Sequence, residues 1–104
     1  MSRFNITHKF HNVPTEVEGA WFASKKEARY FQSLVLARRS GDLLFTLRQV
    51  PFHVPGGVIY RVDFAEFWKD GEVRFTDVKG HRTRSYINKK KQVEALYPVK
   101  ILEA

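Results

Sequence analysis

The stretch VIYRVDFAEFWKDGEVRFTDVK, residues 58–79, decides the fold because its pattern is typical of a β-hairpin. Two runs rich in β-branched and aromatic residues, 58–68 and 72–79, flank the turn sequence KDG. Because side chains alternate across a strand, Asp77 and Lys79 project from one face and the residue between them points away. The hairpin therefore carries an acid and a base side by side.

The length of the turn decides whether Asp63 joins them. A two-residue turn (70–71) sends Asp63 to the opposite face from Asp77, whereas a three-residue turn (69–71) with a left-handed glycine sets the two acids directly opposite each other. The Asp-Gly dipeptide suits both turns. We predict the three-residue turn, because it puts four apolar residues on the face of the acids, as a floor for the first helix. These residues are Ala65, Phe67, Val73 and Phe75.

The remaining elements follow from hydrophobic periodicity and from turn residues. Apolar residues at helical spacing after Ser24, a good N-cap, predict a helix to about Arg39 that Gly41 ends. Residues 1–22 are irregular and predict an arm or a weak strand. We further predict a strand at 43–50, a loop at 51–57, a second helix at 86–97 ended by Pro98, and a last strand at 99–102.

The resulting order, αβββαβ, predicts a single α/β domain over residues 1–104, with 1–22 as its N-terminal arm. A three-stranded antiparallel meander and a final strand after a helical crossover would form a mixed four-stranded sheet flanked by helices. The chain has no cysteine, which excludes disulfides, thiol catalysis and thiolate metal sites. No apolar run is long enough to cross a bilayer and the start lacks a signal-peptide pattern, so we expect a soluble intracellular protein without a membrane partner.

Charge favours a polyanionic partner. Lysine and arginine number 18 against 11 acids, a net charge of +7, which makes nucleic acid the first candidate. Basic residues crowd into 79–91 with no acid between Gly80 and Val93, and we predict that they bind phosphates, although a solvated helix face would read the same way. The predicted DNA contacts are His81, Arg82, Arg84, Lys89, Lys90 and Lys91, extended by Lys25, Lys26 and Arg29 from the first helix.

Opposed carboxylates in a partly buried sheet repel, which raises the pKa of at least one unless a cation lies between them. Oxygen ligands without cysteine favour Mg²⁺ or Mn²⁺. Glu27 could supply a third oxygen from the first helix, but it also lies three residues after Ser24, where SKKE forms a capping box. Asp63, Asp77 and Lys79 could equally be solvated strand charges or a cross-strand ion pair.

The order of these residues resembles the PD-(D/E)XK nuclease core: an acid on the first helix, then Asp63, then DVK at 77–79. More narrowly, EGAWFASKKEARYF, GDLLFTLRQVPF, YRVDF, TDVKGHRTRSY and NKKK look like a phage and prophage family of unknown function. That family is considered similar to phage endonuclease I type Holliday-junction resolvases. The likeness covers 17–103, although Val62 stands where the motif has proline and Asp77 where many relatives carry glutamate.

The resemblance implies that Asp63 and Asp77 bind Mg²⁺ or Mn²⁺, that Lys79 positions the attacking water and stabilises the developing charge, and that Glu27 is the helical acid and a possible third metal ligand. Gln49 is similar to a glutamine of the family and could contact the metal's water or the substrate, or make a structural hydrogen bond. We expect a metal-dependent endonuclease selective for DNA junctions or branches, active as a homodimer in phage or prophage DNA processing in the cytoplasm of a bacterial host. The alternatives are a sequence- or lesion-specific nicking or repair nuclease, and a nuclease-fold DNA-binding protein without catalysis.

Overall fold

The predicted hairpin forms the middle of a four-stranded sheet. The computed structural model describes residues 13–79 and 82–104. Strands β3 (Leu43–Val54), β4 (Val58–Trp68) and β5 (Val73–Asp77) form an antiparallel meander, and β6 (Ile101–Glu103) lies parallel to β5, in the order β3-β4-β5-β6. The predicted mixed α/β fold and its αβββαβ order are confirmed. The elements are β1 (Thr15–Val17), β2 (Ala20–Phe22), α1 (Lys25–Ser40), β3 (Leu43–Val54), β4 (Val58–Trp68), β5 (Val73–Asp77), α2 (Arg84–Leu96) and β6 (Ile101–Glu103).

The turn between β4 and β5 has three residues, as predicted. The backbone N–H of Trp68 donates to the carbonyl of Glu72 at 2.9 Å, so these two residues pair across the turn. Gly71 adopts a left-handed conformation with φ of 93°, and its N–H donates to the carbonyl of Trp68 at 3.0 Å. A side chain at this position would be strained, which is why glycine follows the aspartate.

The helix ends follow their capping residues. The Ser24 side chain accepts a hydrogen bond from the N–H of Glu27 at 3.1 Å, and Gly41 ends α1 with φ of 90°, both as predicted. Helix α2 begins earlier than predicted because Thr83 caps it, accepting from the N–H of Tyr86 at 3.0 Å. Strand β3 runs through Pro51 to Val54, beyond its predicted end. It is an edge strand, where a proline without an N–H is tolerated.

Residues 15–22, predicted as an arm or a weak strand, contain two short strands. Strands β1 and β2 form an antiparallel hairpin in which Phe22 is 2% exposed. The ring of Phe22 lies 4.8 Å from that of Phe31 and 6.3 Å from that of Phe64. The hairpin is therefore part of the hydrophobic core. Residues 1–12 of the predicted arm lie outside the described residues.

The core has two parts, one under each helix. Under α1, Phe64 packs with Phe22, Ala28, Leu34 and Leu43. A second cluster includes Tyr86 and Val93 of α2, which pack with apolar residues of the sheet. Its other buried members are Phe52, Val54, Tyr60, Val62 and Ile101.

The predicted apolar floor under α1 is wrong. Phe75 packs against the α2 cluster, and the rings of Phe45 and Phe67 stack on each other at 4.3 Å. The reason lies in β4, where Val62 faces the α2 cluster and Phe64 faces the α1 cluster, although alternation would place both on one face. The strand therefore changes its facing at Asp63, which stands between them.

Candidate active site

Asp63 and Asp77 come together at the end of the hairpin. The register that pairs Phe64 with Thr76 puts these two acids opposite each other at the next step. The N–H of Asp63 donates to Oδ1 of Asp77 at 2.9 Å, and the N–H of Val78 donates to Oδ2 of Asp63 at 2.9 Å. Each carboxylate thus accepts a backbone hydrogen bond from the neighbouring strand or its extension, which fixes the pair.

Gln49 joins this pair from β3. Its Nε2 donates to Oδ1 of Asp63 at 3.2 Å, and its φ of 53° is left-handed. That conformation costs a non-glycine residue about 1 kcal/mol or more and persists only where the surroundings impose it. Gln49 lies opposite Asp63, between the pairs Arg48–Phe64 and Val50–Val62, so both strands are irregular at the same step. A left-handed residue within a strand changes the direction in which nearby side chains project. Here it lies opposite the point in β4 where Val62 and Phe64 project toward different clusters.

Asp77 has one buried oxygen without a partner. The residue is 0% exposed, and its Oδ2 accepts no hydrogen bond within the ranges that the structure describes. Burial raises the pKa of the Asp77 carboxyl, while the N–H of Asp63 and the positive charge of Lys79 oppose the rise. An unpaired buried acceptor destabilises the fold by about 1–3 kcal/mol. The oxygen is therefore suited to accept a proton or a cation.

Lys79 lies close to Asp77 and Glu27, since its positive charge lowers the pKa of both carboxyls. Its Nζ stands 4.7 Å from the ring centroid of Tyr86. The backbone carbonyl of Lys79 accepts a hydrogen bond of 2.7 Å from Nζ of Lys26. This contact ties the first turn of α1 to the chain just after β5.

Glu27 is buried, with 7% exposure, in the first turn of α1. Burial raises the pKa of Glu27, and the negative charge of Asp63 raises it further. The positive charge of Arg48 and a hydrogen bond from the backbone of Ala23 lower it. The Ser24 half of the predicted capping box is present, but the carboxylate turns to Ala23 rather than to Ser24.

The predicted ligand set of Glu27, Asp63 and Asp77 is not assembled. Among the described residues, no three acidic or histidine side chains lie close enough together to hold a metal ion as a group. The negative charge of Asp63 raises the pKa of Glu27, so Glu27 lies near the pair without forming a three-acid group with it. Only the two aspartates are brought into direct contact.

Glu103 and Tyr86, which the sequence analysis did not predict as site residues, lie close to Asp77 and Lys79. Glu103 pairs with Asp77 across the parallel strands β5 and β6. The hydroxyl of Tyr86 donates to Oε2 of Glu103 at 2.9 Å, and the same oxygen lies 3.3 Å from Lys90 Nζ and 3.4 Å from Arg82 Nε. The Tyr86 hydrogen bond and then the Lys90 contact hold the pKa of Glu103 below its usual range. No local signal marks Glu103, because a crossover helix separates it from Asp77 in the chain.

The predicted DNA contacts lie on both sides of β5. Lys26 reaches the chain after β5 from α1, and Lys90 reaches Glu103, beside Asp77, from α2. Glu103 pairs with Lys90 and Arg82, so part of their charge is neutralised within the chain. His81 lies outside the described residues. Exposed members of the set are Lys25, Lys26, Arg29, Arg82, Arg84 and Lys91, and Lys89 and Lys90 are half-buried.

Comparison with known proteins identifies a family but no activity. The sequence profile of DUF1064, described as a protein of unknown function, matches residues 7–102. No curated protein matches the chain. Within residues 13–79 and 82–104, neither helix is long and apolar enough to cross a membrane.

Proposed function

We propose that this chain, which belongs to the DUF1064 family of proteins of unknown function, is a metal-dependent DNA endonuclease of the PD-(D/E)XK type. The observation that carries the proposal is the buried Oδ2 of Asp77, which has no partner within residues 13–79 and 82–104 and lies beside Asp63 on the opposed strand. Such an oxygen is costly unless it meets a proton or a cation. A divalent cation between two opposed carboxylates would remove both the repulsion and the missing contact.

The two aspartates fit Mg²⁺ or Mn²⁺ without a third acid. Mg²⁺ usually binds through one or two carboxylates and keeps several waters or substrate phosphate oxygens. Three of the four carboxylate oxygens of Asp63 and Asp77 accept hydrogen bonds from the chain, which fixes their orientation and leaves further lone pairs. When bound, the metal would supply positive charge that stabilises the negative charge on the phosphate oxygens during hydrolysis.

The other residues would act on the water and the phosphate. The Lys79 ammonium can donate to the attacking water and to a phosphate oxygen, because it stands near Asp77 and Glu27 without an acidic partner of its own within the described ranges. Glu27 has a raised pKa and lies near Asp63, so it is suited to take a proton from that water. The water oxygen then bonds to phosphorus as the bond to the leaving oxygen breaks.

DNA is the proposed substrate because basic residues flank the acids from α1 and from α2. Phosphate neutralisation by lysine and arginine supplies affinity that does not depend on sequence. The motif segments resemble a phage and prophage family that is considered similar to Holliday-junction resolvases, which extends the proposal to four-way or branched DNA in phage or prophage DNA processing. A homodimer would then cut two strands in the cytoplasm of a bacterial host.

The decisive experiment compares cleavage of a labelled four-way junction, a linear duplex and single-stranded DNA, each with Mg²⁺, Mn²⁺ or EDTA. We expect metal-dependent cutting of the junction, lost in Asp63→Asn and Asp77→Asn. The matched control is Asp70→Asn, which removes the same charge from the exposed turn of the same hairpin. No cutting of any substrate would refute the enzyme and leave a DNA-binding protein, whereas equal cutting of duplex and junction would refute junction selectivity.

Metal binding can be measured without any substrate. If the aspartates hold the ion, Mg²⁺ or Mn²⁺ at 100 times its Kd stabilises the fold by about 2.7 kcal/mol and raises the Tm. Asp63→Asn and Asp77→Asn should abolish this rise, and Asp70→Asn should keep it. A Tm rise of the same size in all four proteins would place the metal elsewhere.

A further inference from the structure

The aromatic ring under Lys79 is the feature that the proposed mechanism does not yet use. Nζ of Lys79 lies 4.7 Å from the ring centroid of Tyr86, within the distance at which an ammonium is attracted to an aromatic face. A lysine side chain has four rotatable bonds, and holding it in one place is entropically costly. The ring supplies a favourable contact that offsets part of that cost.

The ring of Tyr86 is itself fixed at both ends. Tyr86 is 7% exposed, and its N–H donates to the Thr83 side chain at the start of α2. Its hydroxyl donates to Glu103 at 2.9 Å. The ring also lies 6.2 Å from that of Tyr60 in the α2 cluster. The face presented to Lys79 therefore has little freedom to turn.

The contact also keeps the ammonium away from the acids. Within the described residues, Lys79 forms no ion pair, although Asp77 and Glu27 are both near enough to sense its charge. A lysine paired with a carboxylate would have fewer of its three N–H donors available for water or phosphate. Held on the ring, it leaves Oδ2 of Asp77 open.

We infer that Tyr86 is a positioning residue that holds the Lys79 ammonium on its ring beside the acid pair, and that Glu103 anchors the ring. The catalytic part of this inference rests on the proposed function, and the contact itself does not. Glu103 is suited to the anchoring role because it pairs with Asp77 across strands β5 and β6. Its hydrogen bond to Tyr86 therefore fixes the ring relative to Asp77.

The contact is tested by nuclear magnetic resonance on the full chain. The ε-methylene protons of Lys79, assigned with Lys79→Arg, should be shifted upfield by the ring current and show Overhauser contacts to the Tyr86 ring protons. Tyr86→Phe should keep the upfield shift because the ring remains, and Tyr86→Leu should remove it. Free-lysine shifts in the wild-type protein would overturn the inference, and this result does not require a folded Tyr86 variant.

The role in the reaction is tested by cleavage kinetics. Tyr86→Leu should lower kcat about tenfold with little change in KM, since an ammonium on an aromatic face contributes up to about 1–2 kcal/mol. Tyr86→Phe should retain most of the wild-type kcat. Tyr97→Leu is the matched control, because Tyr97 packs against the same cluster and donates to the His53 carbonyl at 2.7 Å. It should lower the Tm and leave kcat unchanged.

The outcomes separate the two claims. If the wild-type chain cuts DNA and folded Tyr86→Leu cuts equally well, the positioning role is refuted and the proposed function stands. If the wild-type chain shows the upfield shift and cuts nothing, the proposed function is refuted and the contact is only structural. A fall in kcat of the same size in Tyr97→Leu would also refute the positioning role.

Discussion

Two carboxylates, Glu66 on β4 and Asp77 on β5, are both 0% exposed, yet their surroundings differ. Both oxygens of Glu66 accept hydrogen bonds, from the hydroxyl of Tyr30 at 2.6 Å and from the indole N–H of Trp68 at 3.1 Å. Asp77 accepts one hydrogen bond at Oδ1, and its Oδ2 has no partner within the described residues. The protein therefore buries one acid with its acceptors satisfied and the other with one left open.

The difference separates a structural acid from a candidate functional acid. Tyr30 belongs to α1, which covers Glu66 and closes its environment. Asp77 lies opposite Asp63, the residue of β4 that separates Val62 in the α2 cluster from Phe64 in the α1 cluster. A satisfied buried acid stabilises packing, whereas an unsatisfied one costs stability and is expected where function requires it. The following predictions test this contrast.

The largest effect is expected from Asp77→Asn. Loss of a carboxylate that holds the proposed metal should reduce cleavage about a thousandfold, equivalent to about 4 kcal/mol in activation free energy. Without metal at neutral pH, the same change should raise the Tm, because it removes a buried charge whose pKa burial has raised. Cleavage rates and melting curves in EDTA measure both. A lower Tm together with wild-type cleavage would make Asp77 a structural acid like Glu66.

The reverse result is expected from Glu66→Ala. Removing this side chain leaves the Tyr30 hydroxyl and the Trp68 indole N–H without their acceptor, and it opens a cavity. The free energy of unfolding should fall by about 2–4 kcal/mol. Cleavage per folded molecule should be unchanged. Urea unfolding and active-site titration measure these quantities, with Glu66→Gln as the milder control that keeps one acceptor. Loss of cleavage in a stable Glu66 variant would extend the active site to β4.

Local chemistry made much of this arrangement predictable. The Asp-Gly dipeptide predicted a tight turn of two or three residues. The three-residue turn, which sets Asp63 opposite Asp77, is confirmed, although the apolar floor that favoured it is wrong. Ser24 and Gly41 marked both ends of α1. These signals work because a turn or a cap depends on residues within a few positions of each other.

The rest depends on contacts between distant parts of the chain. The left-handed backbone of Gln49 and the change of facing at Asp63 arise from how two helices cover one strand, which alternation alone does not encode. The apolar floor predicted for α1 was wrong for that reason. The position of Glu103 beside Asp77 depends on the register of a parallel pair after a helical crossover. The approach of the buried Glu27 carboxyl to Asp63, which raises its pKa, is likewise visible only in three dimensions.

A smaller effect is expected in the pH dependence of stability without metal. The folded pKa of Asp77 is raised above the ordinary 3.8, so the folded state holds its proton more tightly than the unfolded state. Asp77 thus favours folding most at low pH, and this contribution is lost as the pH rises from 3.8 through the raised value. Relative to wild type, Asp77→Asn should gain stability across that window. Urea unfolding at several pH values in EDTA gives the difference.

Glu103 provides the control of opposite sign. Its folded pKa lies below the ordinary 4.5, chiefly because of the Tyr86 hydrogen bond, so its contribution to stability is present above 4.5 and lost as the pH falls through the lowered value. Glu103→Gln should therefore lose stability at neutral pH and little at low pH. If the free energy of unfolding changed with pH in the same direction for the Asp77 and Glu103 variants, the contrast between the two acids would be contradicted.

The smallest effect is expected from two neighbouring lysines, one paired with an acid and one exposed to solvent. Lys90 is paired with Glu103 at 3.3 Å, whereas its neighbour Lys91 is exposed. Because an exposed lysine can meet a phosphate without leaving a partner, Lys91→Gln should weaken DNA binding by roughly threefold and lower the salt slope by about one. Lys90→Gln should weaken it less, since Glu103 already neutralises part of its charge. Fluorescence anisotropy at several salt concentrations measures both slopes. A larger loss for Lys90 than for Lys91 would show that bound phosphate displaces Glu103, which would make that acid a competitor of the substrate as well as an anchor for Tyr86.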